Sequence, residues 1–377
     1  MPVPFNRATI AGNELRYIQE AIEGAHLAGD GEFTKRCQNW IADSLGCGAA
    51  LLTHSCTAAL EMAAILIGVE PGDEVIMPSF TFVSTANAVV LRRGIPVFVD
   101  IRQDTLNIDE KLVEAAVTPR TKAIFPIHYA GVPAEMDAIN NIARRHNLVV
   151  VEDAAQAFGS KYDGHYAGSL GQLATFSFHE TKNIISGEGG ALIINEGEMI
   201  ERAEIIREKG TNRNKFFRGQ VDKYTWVDLG SSYLPSELVA AFLYAQLEGF
   251  DLIQKDRMKI WNMYDEALQS FGNRGMRTPR VPANCQHNAH LYYLIMPSLE
   301  IRQRLIALLR EDEISAPFHY IPLHSAPAGL RFARASGQLT FTDDLSARLI
   351  RLPLYPQMGE TAKRVLDRLY FHLDRLL

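Results

Sequence analysis

The sequence has few of the features that mark metal-binding, disulfide-bonded or nucleic-acid-binding proteins. Four cysteines occur in 377 residues, with no Cys-x-x-Cys pair and no histidine at zinc-ligand spacing. We therefore expect no metal and no disulfide framework, and reduced thiols favour a cytoplasmic protein. A net charge of -6 and a pI near 6.0 give no basic excess to attract nucleic acid, so none is expected as a partner.

Long apolar runs are also missing. The first seven residues lack the charged segment and apolar run of a signal peptide, and no later stretch reaches membrane-spanning length, so no membrane association is expected. The chain is longer than a single core usually supports. We predict a large domain at residues 1–250 and a small C-terminal domain at residues 251–377.

The pattern that is present predicts an α/β protein. Short apolar runs alternate with helical patterns between residues 49 and 195, as in parallel strands joined by crossover helices. The predicted strands are 49–53, 74–77, 97–100, 123–127, 148–152, 175–178 and 191–194. The predicted helices among them are 58–66, 86–93 and 135–146. Further on we expect a helix pair at 238–271, a strand at 289–296, a helix at 300–312 and a final amphipathic helix, which together suit a small α+β domain.

Two strand ends carry groups suited to cofactor chemistry. The run Leu148-Val-Val-Val-Glu-Asp-Ala-Ala-Gln places Asp153 where ligands bind in an open α/β sheet. A carboxylate there can keep a pyridine nitrogen protonated. Lys182 follows another buried strand, where partial burial lowers a lysine pKa enough to free the amine for attack on an aldehyde. Taken singly, a helix cap and a solvated loop lysine are the commoner interpretations.

Two more strand ends complete the pattern. Thr53-His-Ser-Cys-Thr opens a helix whose free N–H groups suit a phosphate, with Ser55, Cys56 and Thr57 around it and Ser177 adding a hydroxyl. Phe82 follows the next strand, where its ring could stack on a pyridine. Helix capping and core packing are the structural alternatives. The four features occur together at successive strand ends, and this favours a pyridoxal-phosphate site.

Several longer runs resemble the sugar aminotransferases of the DegT/DnrJ/StrS family, in the fold-type I pyridoxal-phosphate superfamily, over essentially the whole chain. They are Gly29-Asp-Gly, Ser55-Cys-Thr, Pro78-Ser-Phe-Thr-Phe-Val-Ser-Thr-Ala-Asn, Val151-Glu-Asp-Ala-Ala-Gln, Ser177-Phe-His-Glu-Thr-Lys-Asn, Arg207-Glu-Lys-Gly-Thr-Asn-Arg, Arg218-Gly-Gln-Val-Asp-Lys-Tyr-Thr-Trp and Phe318-His-Tyr-Ile-Pro-Leu-His. The resemblance implies a large domain with a mixed, mainly parallel sheet, a smaller C-terminal α+β domain, and a homodimer with its site at the subunit interface.

The resemblance also implies residue roles. Lys182 would hold pyridoxal 5'-phosphate as a Schiff base, with Asp153 at the pyridine nitrogen and Gln156 near the 3-hydroxyl. Phe82 would stack on the ring, and Thr57 with Ser177 would bind the phosphate. The implied reaction moves an amino group from L-glutamate to the 4-keto group of dTDP-4-dehydro-6-deoxy-D-glucose. Its product would be dTDP-4-amino-4,6-dideoxy-D-galactose, a sugar for lipopolysaccharide or another surface polysaccharide.

Substrate contacts are predicted at two places. Five residues are candidates to bind the nucleotide sugar: Arg213, Arg218, Lys223, His319 and His324. The three basic residues suit a diphosphate, although a solvated charged loop is an equally good interpretation of them. The resemblance is incomplete at Leu234, where many relatives have an Asn or Arg that reaches the partner's cofactor phosphate, and Ser231 or Ser232 are the candidates to replace it.

Four alternatives remain at this point. A related aminotransferase could act on another nucleotide-linked keto sugar. A pyridoxamine-dependent sugar dehydratase would share the fold but lack a Schiff-base lysine. A nicotinamide dehydrogenase would require a Gly-x-Gly-x-x-Gly turn, whereas Gly187-Glu-Gly-Gly precedes a strand. A non-catalytic regulatory protein on the same fold would bind the cofactor without amino transfer.

Overall fold

The computed structural model describes residues 1–377 and contains thirteen strands, fourteen α-helices and four short 3-10 helices. The strands are β1 (Ala49–Thr53), β2 (Glu74–Pro78), β3 (Ile95–Val99), β4 (Thr121–Ile124), β5 (Val149–Asp153), β6 (Lys161–Tyr162), β7 (His165–Tyr166), β8 (Leu173–Ser177), β9 (Gly190–Ile194), β10 (Cys285–Gln286), β11 (Tyr292–Ile295), β12 (Arg334–Ala335) and β13 (Leu349–Leu352). The 3-10 helices are Tyr129–Gly131, Gly197–Met199, Gln269–Arg274 and Leu323–Ser325.

The α-helices cover the sheet and build the C-terminal region. They are α1 (Glu14–Glu23), α2 (Glu32–Leu45), α3 (Cys56–Leu66), α4 (Val83–Val90), α5 (Glu110–Ala116), α6 (Met136–His146), α7 (Ile200–Arg207), α8 (Arg213–Phe217), α9 (Glu237–Glu248), α10 (Phe250–Leu268), α11 (Leu299–Glu311), α12 (Pro327–Phe332), α13 (Thr340–Arg348) and α14 (Glu360–Leu376). None of them is both long enough and apolar enough to cross a membrane.

The main sheet has eight strands in the order β1-β9-β8-β5-β4-β2-β3-β12. All seven predicted strands of the large domain are confirmed, with bounds within three residues of the prediction. β9 alone runs antiparallel to its neighbours. Residues 178–189, which join β8 to β9, contain no helix. Two parallel neighbouring strands need a long crossover connection, usually a helix, so this short connection fits an antiparallel pair. The predicted mixed, mainly parallel sheet is therefore confirmed.

Helices cover both faces of the sheet because its buried strands are apolar on both sides. Leu51 and Leu192 pack with α3 in one core cluster. Their chain neighbours Leu52 and Ile193 point to the other face and pack with α2 and α9. The predicted helix pair is confirmed as α9 and α10. This two-faced packing holds the strand ends rigidly along one edge of the sheet.

The C-terminal residues form a core of their own around the antiparallel pair β11 and β13. Val3 belongs to this core and forms a bridge with Ile314, so the N-terminal strand segment packs with the C-terminal residues. In the other direction, β12 adds an edge strand to the main sheet beside β3. The domain division at residues 250 and 251 stays a prediction.

Helix α2 begins against a buried carboxylate from α9. Glu237 is buried and accepts hydrogen bonds from the amide N–H groups of Gly31 (3.0 Å), Phe33 (2.7 Å) and Thr34 (3.1 Å). A carboxylate at this position satisfies N–H groups that have no acceptor within the helix, and the helix dipole favours its charge. Glu237 therefore ties the N-terminal helices to α9.

We expect Glu237→Gln to lower the free energy of unfolding by about 2 to 3 kcal/mol, because a neutral amide replaces a charged acceptor and turns an NH₂ group toward N–H donors. Urea unfolding followed by circular dichroism measures the change. Glu248→Gln is the control, since Glu248 lies at the exposed end of the same helix and accepts side-chain hydrogen bonds from Tyr17 and Asn13 but none from a helix amide. Equal unfolding midpoints for Glu237→Gln and wild type would contradict the capping role.

Candidate active site

The predicted cofactor residues lie along one edge of the main sheet. Asp153 ends β5 and Ser177 ends β8, and the two strands are parallel neighbours. Thr53 at the end of β1 pairs with Gly190, which in turn pairs with Ser177. Helix α3 begins directly after β1, so its N-terminus lies at the same edge. The structure thus brings together groups that are far apart in the chain.

The N-terminus of α3 offers donors for an anion. Ser55 caps the helix by accepting a hydrogen bond from the Ala58 amide (3.1 Å). The amides of Cys56 and Thr57 precede the first intrahelical bonds and have no acceptor within the protein. A side chain at Gly190 would lie 2.4 Å from the Cys56 nitrogen, so only glycine lets β9 pass so close under this helix end.

Two hydroxyls accompany these amides. The Thr57 hydroxyl lies 2.7 Å from that of Ser84, and the Ser177 hydroxyl accepts a long hydrogen bond of 3.4 Å from the His179 amide. Neither hydroxyl bonds to a charged group, so both can turn toward an anion. Free amides together with adjustable hydroxyls are what a phosphate group requires.

Asp153 is a buried carboxylate with a fixed orientation. Its Oδ2 accepts a hydrogen bond of 2.6 Å from Thr85, and its Oδ1 accepts a weaker one of 3.2 Å from the Ala155 amide. The Thr85 hydroxyl lies 3.0 Å from that of Thr81. No arginine or lysine forms an ion pair with Asp153, so its charge is free to stabilise a protonated ring nitrogen.

Lys182 lies in the loop between β8 and β9. It is half-buried, and its amine forms neither a hydrogen bond nor an ion pair with the protein. Burial lowers the pKa of Lys182 below its usual range, and the charge of Arg351 acts in the same direction, whereas Cys56 and Asp153 oppose the shift. A lowered pKa makes the neutral, nucleophilic amine more accessible.

Cys56 lies in the same group but does not supply a nucleophile. Burial and the charge of Asp153 raise the pKa of its thiol to about 12, which keeps it protonated at neutral pH. All four cysteines are free thiols. The predicted contact of Cys56 with phosphate therefore rests on its backbone amide, while its side chain packs among the site residues.

Both the oxygen and the nitrogen of the Gln156 side-chain amide form hydrogen bonds within the protein. Its Oε1 accepts a hydrogen bond from the Ala130 amide (2.8 Å), and its Nε2 donates one to the Tyr320 hydroxyl (3.0 Å). Ala130 adopts a left-handed φ of 58°, which turns its N–H toward this acceptor. Tyr320 therefore joins Gln156 to the C-terminal region, which places that region beside the cofactor residues.

Phe82 lies at the mouth of the site. Its side chain is 56% exposed, and its ring centroid lies 6.3 Å from that of Tyr320 at an angle of 45°. Phe82 is the last residue of the connection between β2 and α4, and its side chain lies outside the core. The accessible ring face is compatible with the predicted stacking role, which stays a prediction.

The two histidines predicted to contact substrate have different surroundings. The Nδ1 of buried His319 lies 3.0 Å from the Tyr129 hydroxyl, and burial, with Arg351 and Lys182, holds the pKa of His319 well below its usual range. It is therefore neutral and part of the site. His324 binds Ser79 through Nδ1 (2.8 Å) and faces Asp343 through Nε2 (3.3 Å), so both of its nitrogens have protein partners.

The three basic candidates lie on α8 and the residues that follow it, and none of them has a hydrogen bond or ion pair to the predicted cofactor residues. Arg213 is 3.7 Å from Glu208, and Arg218 pairs with Glu204. Lys223 is exposed and forms no ion pair. Their predicted contact with a diphosphate therefore remains a prediction.

Leu234 has a packing role. It is half-buried, and a side chain at Gly29 would lie 2.7 Å from its Cβ, so leucine and glycine fit against each other. Ser231 and Ser232, the residues proposed to replace its polar counterpart, are both exposed. Their hydroxyls are available to a neighbouring subunit.

Other site residues were missed by the sequence reasoning. Thr85 and Tyr320 lie inside the runs that carry the family resemblance, so those runs could have pointed to them. Tyr129, His290 and Arg351 lie outside these runs, on segments that pattern alone assigns to the core. Arg351 and His290 come within electrostatic range of Lys182, and Tyr129 contacts His319, only because the C-terminal region packs against the sheet edge.

These residues fit pyridoxal phosphate. The unpartnered amides of Cys56 and Thr57 suit its phosphate, the unpaired carboxylate of Asp153 suits its ring nitrogen, and the unpartnered amine of Lys182 suits its aldehyde. The three groups are linked electrostatically, because Asp153 and Lys182 both shift the pKa of Cys56. A site with a free anion-binding end, a free acid and a free amine matches the three reactive parts of this cofactor.

Comparison with known proteins agrees with this geometry. Residues 8–370 match the model of the DegT/DnrJ/EryC1/StrS aminotransferase family. The chain is 34% identical to the spore coat polysaccharide biosynthesis protein SpsC of Bacillus subtilis, over 95% of this chain and 93% of that one. It is 34% identical to the GDP-perosamine synthase of Caulobacter vibrioides, over 97% and 96%.

A solved structure shows the same fold. The structure of DesV of S. venezuelae, determined in complex with a ketimine intermediate, superposes with a TM-score of 0.89 at 31% identity, over 99% of this chain and 98% of that one. These matches rule out the dehydrogenase and non-catalytic interpretations. The chain belongs to the DegT/DnrJ/EryC1/StrS aminotransferase family and is a fold-type I, pyridoxal-phosphate-dependent sugar aminotransferase.

Proposed function

We propose that this enzyme transfers the amino group of L-glutamate to the 4-keto group of dTDP-4-dehydro-6-deoxy-D-glucose, giving dTDP-4-amino-4,6-dideoxy-D-galactose. The observation that carries amino transfer is the half-buried amine of Lys182, which has no protein partner and a lowered pKa beside Asp153. The dTDP-sugar and the galacto product are supported by the family runs around Lys182 and Arg213. The presence of Lys182 counts against a lysine-free sugar dehydratase.

Each residue group has a role set by its position. The amides of Cys56 and Thr57, with the Ser177 hydroxyl, would bind the phosphate and so fix the cofactor in place. Asp153 would keep the ring nitrogen protonated, and Phe82 would stack on the ring. The cofactor supplies an electron sink for the carbon that carries the transferred amine.

Lys182 has two tasks. In the resting enzyme its amine would hold the cofactor by its aldehyde, and when released it would serve as the general base and acid of the site. It would then carry a proton to and from the carbon that bears the transferred amine. The reverse transfer at C4 of the sugar uses the same group. Because burial lowers its pKa, the neutral form of the amine is more accessible than in a solvated lysine.

We further propose a homodimer in which the loop at residues 210–230 reaches the partner's site. Its aromatic side chains are exposed, with Phe217 at 66% and Trp226 at 78%. Exposed apolar groups close together are typical of surfaces that bind another protein. Arg213 stacks on Phe217 at 5.0 Å, so covering the aromatic residues would bring this cation to the interface. Ser231 is exposed and is our candidate to replace the contact absent at Leu234.

A second candidate is the same chemistry on another nucleotide sugar. One relative carries the name GDP-perosamine synthase, and a guanosine nucleotide is thus compatible with this family fold. The name of the Bacillus subtilis relative supports a role in making sugars for a surface polysaccharide. A cytoplasmic location for this step stays a prediction.

The test is a substrate panel. The purified holoenzyme is incubated with L-glutamate and the dTDP-, UDP- and GDP-linked 4-keto-6-deoxy sugars, and the products are identified by NMR. We expect the dTDP sugar to give the highest kcat/KM and an axial amine at C4. A higher kcat/KM for the GDP sugar, or an equatorial amine, would overturn the proposed substrate or product.

A further inference from the structure

Tyr129 fixes which nitrogen of His319 carries the proton. The Tyr129 side chain is fully buried, and the only hydrogen-bond partner of its hydroxyl is Nδ1 of His319, at 3.0 Å. A buried hydroxyl proton without an acceptor is costly, so the hydroxyl donates this bond and Nδ1 accepts it. The single proton of a neutral imidazole then lies on Nε2.

Both side chains are neutral, as this assignment requires. Burial raises the pKa of Tyr129 well above its usual range, so the hydroxyl keeps its proton. Burial and the charges of Arg351 and Lys182 hold the pKa of His319 well below its usual range, so the imidazole has one proton only. Its Nε2 forms no hydrogen bond within the protein and is not fully buried. Nε2–H is therefore a donor that lacks an acceptor until a ligand enters the site.

The surroundings of His319 favour a neutral oxygen as that acceptor. The imidazole lies among aromatic rings, with the ring centroid of Tyr320 at 3.5 Å, that of Tyr129 at 5.6 Å and that of Phe80 at 6.4 Å. Aromatic walls with a few placed polar groups suit a ligand that is mainly uncharged, such as a sugar ring. Phosphates and carboxylates are bound more strongly by charged donors than by a neutral N–H group.

The chemistry of the keto sugar narrows the choice of oxygen. In the proposed substrate the reacting C4 has two neighbours: C3 carries a hydroxyl, whereas C5 carries the ring oxygen and the methyl group. Lys182 acts at C4, and its charge reaches the imidazole of His319. The C3 hydroxyl is the hydroxyl closest to that carbon, and L-glutamate has no group equivalent to it. A contact with this hydroxyl would therefore belong to the sugar half-reaction alone.

We propose that His319 donates a hydrogen bond from Nε2 to the C3 hydroxyl oxygen of the keto sugar, and that Tyr129 is the positioning residue that keeps the proton on Nε2. This inference rests on the proposed function, since it takes a 4-keto sugar as the amino acceptor. It makes His319 a residue that selects sugars with a hydroxyl beside the keto carbon. The imidazole keeps its proton throughout, so no further reactant is required.

The experiment changes the enzyme and the sugar together. The pyridoxamine form of the holoenzyme reacts in single turnovers with the dTDP-linked 4-keto-6-deoxy sugar and with its 3-deoxy analogue. Wild type should prefer the 3-hydroxy sugar about 20-fold in kcat/KM, because the analogue leaves Nε2–H unpaired. His319→Leu should lose this preference and keep the wild-type kcat/KM for L-glutamate. His319→Gln should retain part of it, because the glutamine amide nitrogen can take the place of Nε2.

The position of the proton is measured without any substrate. In ¹⁵N NMR spectra of the histidine-labelled holoenzyme, the His319 signals are those absent in His319→Leu, and they should show a protonated Nε2 and an unprotonated Nδ1. Tyr129→Phe should populate the Nδ1–H form and lower kcat/KM for the 3-hydroxy sugar about fivefold. Tyr264→Phe is the matched control, since Tyr264 is also fully buried and donates one hydrogen bond of 2.9 Å to the Pro353 carbonyl in the C-terminal core. It should change neither the spectrum nor the kinetics.

The outcomes separate this inference from the proposed function. An unprotonated Nε2 in the wild-type enzyme would overturn the assignment of the proton. A His319→Leu enzyme with the wild-type preference for the 3-hydroxy sugar, or with equal losses for sugar and glutamate, would overturn the hydroxyl contact. A wild-type enzyme that aminates neither dTDP sugar would instead refute the proposed substrate, and the hydroxyl contact with it.

Discussion

Replacing Lys182 with alanine should abolish amino transfer, with a fall in turnover of at least about 10⁴-fold, the contribution expected of a positioned acid-base group. The reason is that one amine attaches the cofactor and then moves the proton in both half-reactions. No other lysine, and no cysteine with an accessible thiolate, lies at the site to replace it, since burial raises the pKa of Cys56 to about 12. Steady-state assays with glutamate and the keto sugar measure the loss.

Two controls make the result specific to the amine. Lys182→Arg keeps the positive charge but cannot lose its proton, and should be equally inactive. Lys161→Ala removes a lysine that stacks on Tyr166 at 4.3 Å, away from the sheet edge, and should leave activity unchanged. Borohydride reduction followed by mass spectrometry should attach the cofactor to the Lys182 peptide in wild type and not in the variants. Full activity in Lys182→Ala would refute the assignment.

Asp153→Asn should lower the rate of both half-reactions by on the order of 10³-fold, comparable to removing an electrostatic contact that stabilises developing charge. Asparagine has nearly the same shape and can still accept the 2.6 Å hydrogen bond from Thr85, but it cannot hold a proton at the ring nitrogen. Single-turnover rates with glutamate and with the aminated sugar measure the effect. Because the phosphate contacts are untouched, cofactor affinity should change much less.

Thr85→Val is the paired variant, since it removes the hydroxyl that orients Asp153 and leaves the carboxylate. We expect both half-reaction rates to fall about tenfold. Loss of one hydrogen bond costs about 1 kcal/mol, and the freed carboxylate would also be less well aligned. An Asp153→Asn enzyme with wild-type rates in both half-reactions would show that the ring nitrogen is not controlled by this residue.

The sheet edge could be predicted from the sequence because each of its groups follows a buried apolar strand. Asp153 and Ser177 are the last residues of such strands and α3 starts shortly after one, and the ends of parallel strands meet at one edge by geometry alone. The direction of β9 was the part that strand patterns did not specify. It depends on the helix-free connection at residues 178–189 and not on the apolar residues of the strand itself.

Contacts from the C-terminal region could not be predicted in the same way. Arg351 follows two apolar residues within β13, and His290 lies just before β11. The sequence around each of them resembles that of any strand in a small domain. Their approach to Lys182 depends on how two cores pack together, which local periodicity does not encode. Leu234 was noticed as a departure from the family, but its packing on Gly29 was visible only in three dimensions.

The pairing of β12 with β3, and of Val3 with Ile314, also constrains how the protein is made. While residues up to about 250 leave the ribosome, the edge of β3 has no partner strand and Val3 has no core to enter. Both are completed only when the last third of the chain has been synthesised. Contacts so distant in sequence form slowly, and an unpaired strand edge exposed meanwhile can associate with other chains. The nascent enzyme is therefore most vulnerable to aggregation late in translation, when most of its sheet already exists.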